Sequence, residues 1–463
     1  MLHELGKDNS ILRIDAEFFD TYARSIDHTI RKSPHFLLKT TQVVSGPFGS
    51  TLKSEAYLKK RGIPFVRIEN IKNGFYIDTS NIVYISNADN DRLKNSQLDL
   101  DDLVLSKVGN IGCFARVNAS VGKCNISENN IGIKLRKYTL AQKHYILTYL
   151  NTIFARNLVL RRMSGNVQPK LNVDDVCYIP IPQYSETFYK KISSLIVRSE
   201  LSLSQSTAAY AQAENLLLSA LNMQNFTPPS ESVAVKTLSE SFSVSGRLDS
   251  EYYQEKYDSL LDKIKTFHPE KLGNIATIRK SIEPGSACYG DEGVPFVRVS
   301  DINKYGISDP TIKIPQDIVP NMEELYPRKD TILLSKDGSV GIAYKVEEDK
   351  QFITSGALLH LNIKHGSVLP DYLTLVLNSP IVQLQAERDA GGSIIQHWKP
   401  SEIAEVLIPV IDMQAQSQIA ALIQSSFTLR KQSEHLLETA KHAVEIAIEQ
   451  GEDKAMEFLA EYT

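Results

Sequence analysis

A chain of 463 residues, 42% hydrophobic and 23% charged, is too long for one ordinary domain and carries apolar material for two to four soluble ones. A net charge of −4 and a pI near 6.2 exclude a uniformly basic coat for nucleic acid, so any such contact has to come from local patches or from partners. No window approaches the roughly 18 uninterrupted apolar residues of a membrane span, and the polar start MLHELGKDNSILRID lacks the basic head and apolar centre of a signal peptide.

The first predicted element is a helical opening around Arg13-Ile-Asp-Ala-Glu-Phe-Phe19. Short strands rich in Val, Ile, Phe and Tyr follow, broken by Gly and Pro as at Phe48-Gly-Ser50. They include Ile63-Pro-Phe-Val-Arg-Ile68 and Leu103-Val-Leu-Ser-Lys-Val-Gly-Asn-Ile-Gly112. Tyr145, Ile146, Tyr149 and Leu150 make an i, i+1, i+4, i+5 apolar helix face, with Asn151 just beyond it. A Gly-containing turn, Ser164-Gly-Asn-Val-Gln168, precedes a short Ile181-Pro182 strand, and no Gly or Pro interrupts Glu186 to Leu221.

The same elements then return. Arg247-Leu-Asp-Ser-Glu-Tyr-Tyr253 repeats the opening at an offset of 234, Val294-Pro-Phe-Val-Arg-Val299 follows at 231, and Ile332-Leu-Leu-Ser-Lys-Asp-Gly-Ser-Val-Gly341 at 229. Gly391-Gly-Ser-Ile-Ile395 and Ile408-Pro409 stand at 227, and the helix face recurs as Tyr372, Leu373, Val376 and Leu377 before Asn378. Chance does not hold five anchors in order with so small a drift, whereas loop deletions in a duplicated chain do. The expected fold class is α+β (mixed α/β): two tandem globular halves separated by two long helices, with a pseudo-twofold internal duplication. The expected segments are 1–185 (N-terminal segment and first globular half), 186–223 (first long helix), 224–270 (linker and second opening), 271–411 (second globular half), 412–450 (second long helix) and 451–463 (acidic tail).

A 3-4 spaced seam in the first long helix runs Ile192, Ile196, Ser199, Leu203, Ser206, Tyr210, Ala213, Leu217. The second runs Ile419, Leu422, Ser426, Leu429, Ser433, Leu436, Ala440, Ala443. Sustained over four heptads, this predicts a coiled coil, and its small Ser and Ala positions favour close approach. Two helices of similar length, each closing one copy, pair most simply with each other, antiparallel; the alternative is that each packs on its own half. About 30 residues at ~1.5 Å each span about 45 Å, somewhat more than the ~34–36 Å turn of B-DNA, so the pair would serve as a ruler.

No phosphate loop, GxGxxG, HExxH or GxSxG motif occurs, and Gly122-Lys123-Cys124 lacks the hydroxyl residue and upstream glycine of a phosphate loop. The cysteines (Cys113, Cys124, Cys177, Cys288) have no CxxC spacing, which argues against a zinc site or a disulfide framework and fits a reducing cytoplasm. Metal ligands are not predicted. The repeated Ser106-Lys107 and Ser335-Lys336 pairs sit on strand ends, where neighbours point to opposite faces and cannot act as a nucleophile pair.

The strongest nucleic-acid signal is residues 134–170, which hold Lys134, Arg136, Lys137, Lys143, Arg156, Arg161, Arg162 and Lys170 and no acid. Cations that neutralise phosphates release counterions and give salt-sensitive affinity; the plainer reading is a solvated basic face. The corresponding part of the second copy mixes in Asp371, Glu387 and Asp389, so the copies share a framework and differ in surface. Arg67 and Arg298, ending the repeated Pro-Phe-Val-Arg strands, suit either a packed stem with a paired head or base reading. Lys107, Asn110, Gln168 and Lys170 in the first copy, and Lys336, Ser339, Gln396, His397 and Lys399 in the second, flank the glycine turns, where amides and cations read base edges or cap backbone groups.

With these residues assembled, the chain resembles the specificity (S) subunits of type I restriction-modification systems. The carrying residues are the Arg-Ile-Asp-Ala-Glu-Phe-Phe opening, Ile-Pro-Phe-Val-Arg-Ile with Glu69-Asn70-Ile71, the Leu-Ser-Lys-x-Gly-x-x-Gly turn, Ser164 to Val176 and the long helices. The resemblance implies two target-recognition domains, each reading one half of a split site in double-stranded DNA, with the helices setting the spacer. It implies a non-catalytic cytoplasmic subunit that docks two modification (adenine N6-methyltransferase) subunits in a complex completed by restriction/translocase subunits. S-adenosylmethionine, ATP and Mg then belong to those partners, with no cofactor on this chain and no membrane. The second copy's Gly391-Gly-Ser-Ile-Ile-Gln-His-Trp398 departs from the first copy's Ser-Gly-Asn-Val-Gln, so contacts there do not carry over. Open alternatives are an S-like recognition module of another DNA-methylation or phage-defence assembly, and a duplicated protein-interaction scaffold.

Overall fold

The computed structural model describes residues 18–47, 49–72, 74–109, 111–165, 169–230, 233–318, 321–392 and 395–462. The chain divides into two units, Met1–Ser202 with Lys431–Thr463, and Leu203–Arg430. The division passes through both long helices and so differs from the boundaries expected near residues 186 and 412. Each helix is buried in two places: Phe188, Ile192 and Ile196 share a core with Leu436, Ala440 and Ala443, while Tyr210, Ala213 and Leu217 share another with Ile419, Ile423 and Phe427.

In the first unit a five-stranded sheet runs Val43–Ser45, Asn130–Ile133, Leu103–Ser106, Phe114–Arg116, Phe75–Tyr76. A four-stranded one runs Val83–Ile85, Ile63–Val66, Cys124–Ile126, Gln97–Leu98. Leu103–Ser106 is buried at every position, as a strand covered on both faces must be. Its alternation sends Leu103 and Leu105 into the core shared with the helices, and Val104 into a second core with Val66 and Ile126. Helix Leu140–Leu150 starts from a capping box at Thr139 and Gln142 and buries the face read from its spacing. Its phenols end on the chain that leads to the long helix: Tyr145 donates to the Pro182 carbonyl at 2.8 Å and Tyr149 to that of Pro180 at 2.5 Å. Asn151 behaves as an added strand partner, accepting from Phe114 N at 3.1 Å and donating to Phe114 O at 2.8 Å.

The second unit has the order Ala276–Lys280, Leu358–Ile363, Ile332–Ser335, Ala343–Lys345, beside Lys313–Ile314, Val294–Val297, Ile353–Thr354. The Pro-Phe-Val-Arg strand pairs in parallel in each unit, Phe65 with Asn125 and Phe296 with Ile353. Tyr372 donates to the Pro409 carbonyl at 2.6 Å, and Asn378 clamps Ala343 at 3.1 and 2.8 Å. These contacts match those of Tyr145 and Asn151 atom for atom.

The long helices, Glu186–Ala220 and Met413–Gln450, meet along a seam whose middle is serine. In the first unit the Ser199 and Ser433 hydroxyls are 2.8 Å apart, and in the second those of Ser206 and Ser426 are 3.0 Å apart. Ile192, Ile196, Tyr210, Leu217, Ile419 and Leu436 are buried as expected of seam positions, whereas Leu203, Leu422 and Leu429 are only half-buried. The antiparallel register shows within the first unit, where Ser185 meets Glu452 at one end and Ser199 meets Ser433 at the other. The helices also pack on the globular parts: Tyr76 Oη is 2.8 Å from Ser199 Oγ and His144 Nδ1 is 2.8 Å from Ser193 Oγ. Both pairing schemes read from the sequence therefore operate at once.

The expected acidic tail is instead a helix, Glu452–Ala460, entered through Gly451 at φ 96°. Ala455 and Leu459, one turn apart, are buried in the first core, while Asp453 and Glu457 stay exposed. The charge count hid an i, i+4 apolar pair. No described helix is long and apolar enough to cross a membrane.

Candidate nucleic-acid interface

The glycine turns and the loops preceding Leu171 and Trp398 are far apart in sequence but adjacent in each unit. In the first, Ser164 and Lys170 exchange backbone hydrogen bonds of 3.0 and 2.8 Å, and Leu171 N donates to Lys107 O at 3.1 Å. In the second, Gly391 and His397 exchange bonds of 3.0 and 2.7 Å, and Trp398 N donates to Lys336 O at 2.8 Å. The backbone frame is therefore the same where the side chains differ. Gly109 and Gly338 both take φ 73°, which lets each turn fold back without a Cβ penalty.

Around these frames the candidate residues fall into place unevenly. Lys170, Ser339, Gln396, His397 and Lys399 are exposed, with Lys399 3.2 Å from Glu402. Lys107 does not reach freely outward. Its Nζ donates to the Glu128 carbonyl at 2.7 Å and to Ser45 Oγ, and burial, with Lys170 nearby, lowers its pKa against the pull of Glu128. Lys336 is turned onto the Asp337 carboxylate. That carboxylate also lies 2.8 Å from His397 Nδ1; burial raises its pKa, but the Lys336 and His397 hydrogen bonds outweigh burial and hold it low. Asn110 and Gln168 lie outside the described residues.

Arg67 donates to the Asn81 carbonyl at 2.9 Å, pairs with Glu69 and lies 5.7 Å from the centroid of the Tyr57 ring. Arg298 is 3.6 Å from Asp301. In both units the guanidinium faces a carboxylate of the turn that follows its strand. Arg67 also lines a cleft of about 490 Å³ with Lys53, Tyr57, Glu128 and Asn129.

The acid-free stretch is corrected most strongly. Arg161 and Arg162 are 4% and 6% exposed. Arg161 donates to the Phe18 carbonyl at 2.6 Å, lies 4.6 Å over the Phe18 ring and is 3.8 Å from Asp27; Arg162 lies 4.8 Å over Tyr178. In the second unit Arg388 likewise stands 5.2 Å over Tyr252, so this arginine holds an aromatic residue at the end of the opening motif; Arg13 to Glu17 of the first opening lie outside the described residues. Lys143 is drawn 3.7 Å from Asp101, whose carboxylate also binds the buried Arg116 at 2.6 Å. Lys134 donates to the Asn95 carbonyl at 2.8 Å, its pKa lowered by burial and by Arg136, and Arg136 pairs with Asp99 at 2.5 Å. The acids missing from the stretch are supplied from elsewhere in the chain. Lys137, Arg156 and Lys170 are exposed and are its remaining candidates for phosphate contact.

The residue that sequence reading missed is Asp337. Its signal was the exchange of Val108 for an acid within an otherwise matched turn. Among the described residues no group of three or more His, Cys, Asp or Glu is placed to hold a metal ion.

Residues 264–439 match the family model described as the type I restriction modification DNA specificity domain. No curated protein matches the chain. Among solved structures, the S subunit of a type I restriction-modification system from M. genitalium is 13% identical, covering 94% of this chain and 94% of its own, with a TM-score of 0.35. The HsdS subunit from Thermoanaerobacter tengcongensis is 15% identical, covering 92% and 96%, with a TM-score of 0.29.

Proposed function

We propose that the whole chain is the specificity subunit of a type I restriction-modification system, a reading supported by the match of residues 264–439 to the DNA specificity domain of such systems. Each unit reads one part of a split target in double-stranded DNA. The paired helices fix the spacer and dock two modification subunits, adenine N6-methyltransferases, in a cytoplasmic complex that also takes restriction/translocase subunits. The chain itself makes and breaks no bonds. S-adenosylmethionine, ATP and Mg bind to its partners.

One observation carries this reading. Apart from residues 431–439 the first unit lies outside the matched residues, yet Ser164 and Lys170 exchange the same backbone hydrogen bonds as Gly391 and His397. Different side chains project from that common frame, as two different half-sites require. Phosphate contacts fall to Lys137, Arg156 and Lys170, and base-edge contacts to the residues flanking the glycine turns.

Co-expression with a methyltransferase encoded beside this chain, followed by mapping of methylated adenines, tests the proposal. A two-part motif with a fixed spacer is expected. A single contiguous motif, or cutting or methylation of DNA by the purified chain alone, overturns it.

A further inference from the structure

The strands Ile63–Val66 and Val294–Val297 are entered through one turn built twice. Each entry begins with a short 3₁₀ turn, Ser54–Ala56 or Ser286–Cys288, followed by a tyrosine, Tyr57 or Tyr289. The next residue is tied to the neighbouring strand by a pair of backbone hydrogen bonds. Leu58 exchanges them with Tyr84 at 2.8 and 2.9 Å, and Gly290 with Lys313 at 3.0 and 2.8 Å. Both turns close on a glycine at positive φ, Gly62 at 136° and Gly293 at 110°. A Cβ on Gly62 would stand 2.5 Å from the Ile85 carbonyl oxygen, and one on Gly293 2.2 Å from that of Ile314. The two turns are therefore pinned at both ends in the same way.

Between these fixed points the charge is inverted. The first unit carries Lys59-Lys60-Arg61 and the second Asp291-Glu292, all exposed. Among the described residues no acid pairs with any of the three cations. Arg61 stands at φ 63°, a region where glycine or asparagine is the ordinary occupant. An exposed arginine there holds its charge at the tip at a backbone cost and with no packing role to offset it, as functional positions do. The second turn is one residue shorter and puts only its glycine at positive φ. Lys53 and Tyr57, just before the first tip, share a cleft with Arg67 and Asn129, and the Asn129 carbonyl accepts from Lys107 N at 2.8 Å. The tip thus adjoins the frame of the first glycine turn. Glu55, Glu69 and Glu128 also line that cleft, so the free positive charge lies at the tip and not inside it.

Resting on the DNA-recognition reading above, we propose that Lys59-Lys60-Arg61 is a sequence-independent grip on the phosphates of duplex DNA, present in the first unit and absent from the second. Unpaired cations on a pinned tip suit a polyanion, and each phosphate they neutralise releases counterions. Two carboxylates on the matching frame cannot do this. The complex then holds DNA of any sequence through its first unit, and the second unit adds affinity where its own bases match.

The assembled complex carrying Lys59→Ser, Lys60→Ser and Arg61→Asn is titrated with its mapped target and with an unrelated duplex, from about 50 to 200 mM salt. The salt slope is expected to fall by about 1 for each cation that meets a phosphate, equally on both duplexes, with the methylated motif unchanged. Lys59→Ser with Lys60→Ser leaves the left-handed position untouched and is expected to give a smaller fall of the same kind. Asp291→Ser with Glu292→Ser is expected to weaken neither complex, and a loss there overturns the asymmetry. Loss on the target alone, or one relaxed position in the motif, makes the tip a base reader and overturns the grip. Release of the methyltransferase subunits with the salt slope kept also overturns it, assigning the tip to an acidic protein surface. Salt curves superimposable on wild type, with the two-part motif still mapped, sink the grip and leave the reading of the chain standing. A wild-type complex that binds no duplex ends both.

Discussion

The Ser199 hydroxyl lies 2.8 Å from that of Ser433 and donates to the Ser433 carbonyl at 3.0 Å. The second unit repeats the arrangement with roles exchanged, Ser426 Oγ standing 3.0 Å from Ser206 Oγ and donating to the Ser206 carbonyl at 2.8 Å. The offset of 227 that relates the helices carries Ser199 to Ser426 and Ser206 to Ser433. Serine here satisfies buried polar groups while letting the backbones approach, which leucine at the same positions would prevent.

Ser199→Ala leaves the Ser433 and Tyr76 hydroxyls short of a partner, and a loss of about 1–3 kcal/mol is expected. Combining it with Ser433→Ala costs less than the sum of the two, because both remove one network. Urea midpoints of the single and double variants measure this; strict additivity would show the hydroxyls to be uncoupled.

Asn151→Ala and Asn378→Ala each strip a buried strand end of its clamp and are expected to cost similar amounts, about 1–3 kcal/mol. The diagnostic readout is amide hydrogen exchange at Phe114 and Ala343, which should quicken in the matching variant only.

Arg161→Glu sets a carboxylate beside Asp27 in the core, and a loss of about 3–5 kcal/mol is expected from the broken buried pair. Lys137→Glu should leave the thermal midpoint unchanged and instead weaken DNA binding, lowering its salt slope by about 1. The pair of variants separates framework cations from surface ones. Equal melting temperatures would place Arg161 at the surface.

One buried and one half-buried histidine, His144 and His360, give an acid-sensitive fold. Burial, with Arg116 beside it, lowers the His144 pKa to about 4, and burial lowers that of His360 to about 4. Arg116 can only donate, so His144 Nε2 accepts at 2.9 Å and the proton sits on Nδ1, toward Ser193. Between about pH 6.5 and 4 the unfolded chain takes up protons that the folded one refuses. Stability therefore falls with pH across that window, by up to ~3 kcal/mol per histidine. Urea midpoints recorded from pH 7 to 4 should decline less steeply in His144→Gln than in wild type.

Contiguous residues carried much of this molecule. Periodicity marked the Tyr145 and Tyr372 faces, glycines marked the turns that take φ 73°, and ordered repetition placed Asn151 and Asn378 at matching helix ends. These are local properties, since which face of a helix is apolar and where a backbone must turn are written within a few residues. Charge is different. The clean basic run from Lys134 to Lys170 met Asp27, Asp99 and Asp101 only when the chain folded, and a tail counted as acidic buried Ala455 and Leu459. An ion pair or a packed surface depends on distance in space, so tertiary structure alone decided which cations are spent inside. It alone also set the Asp337 carboxylate against the ring of His397.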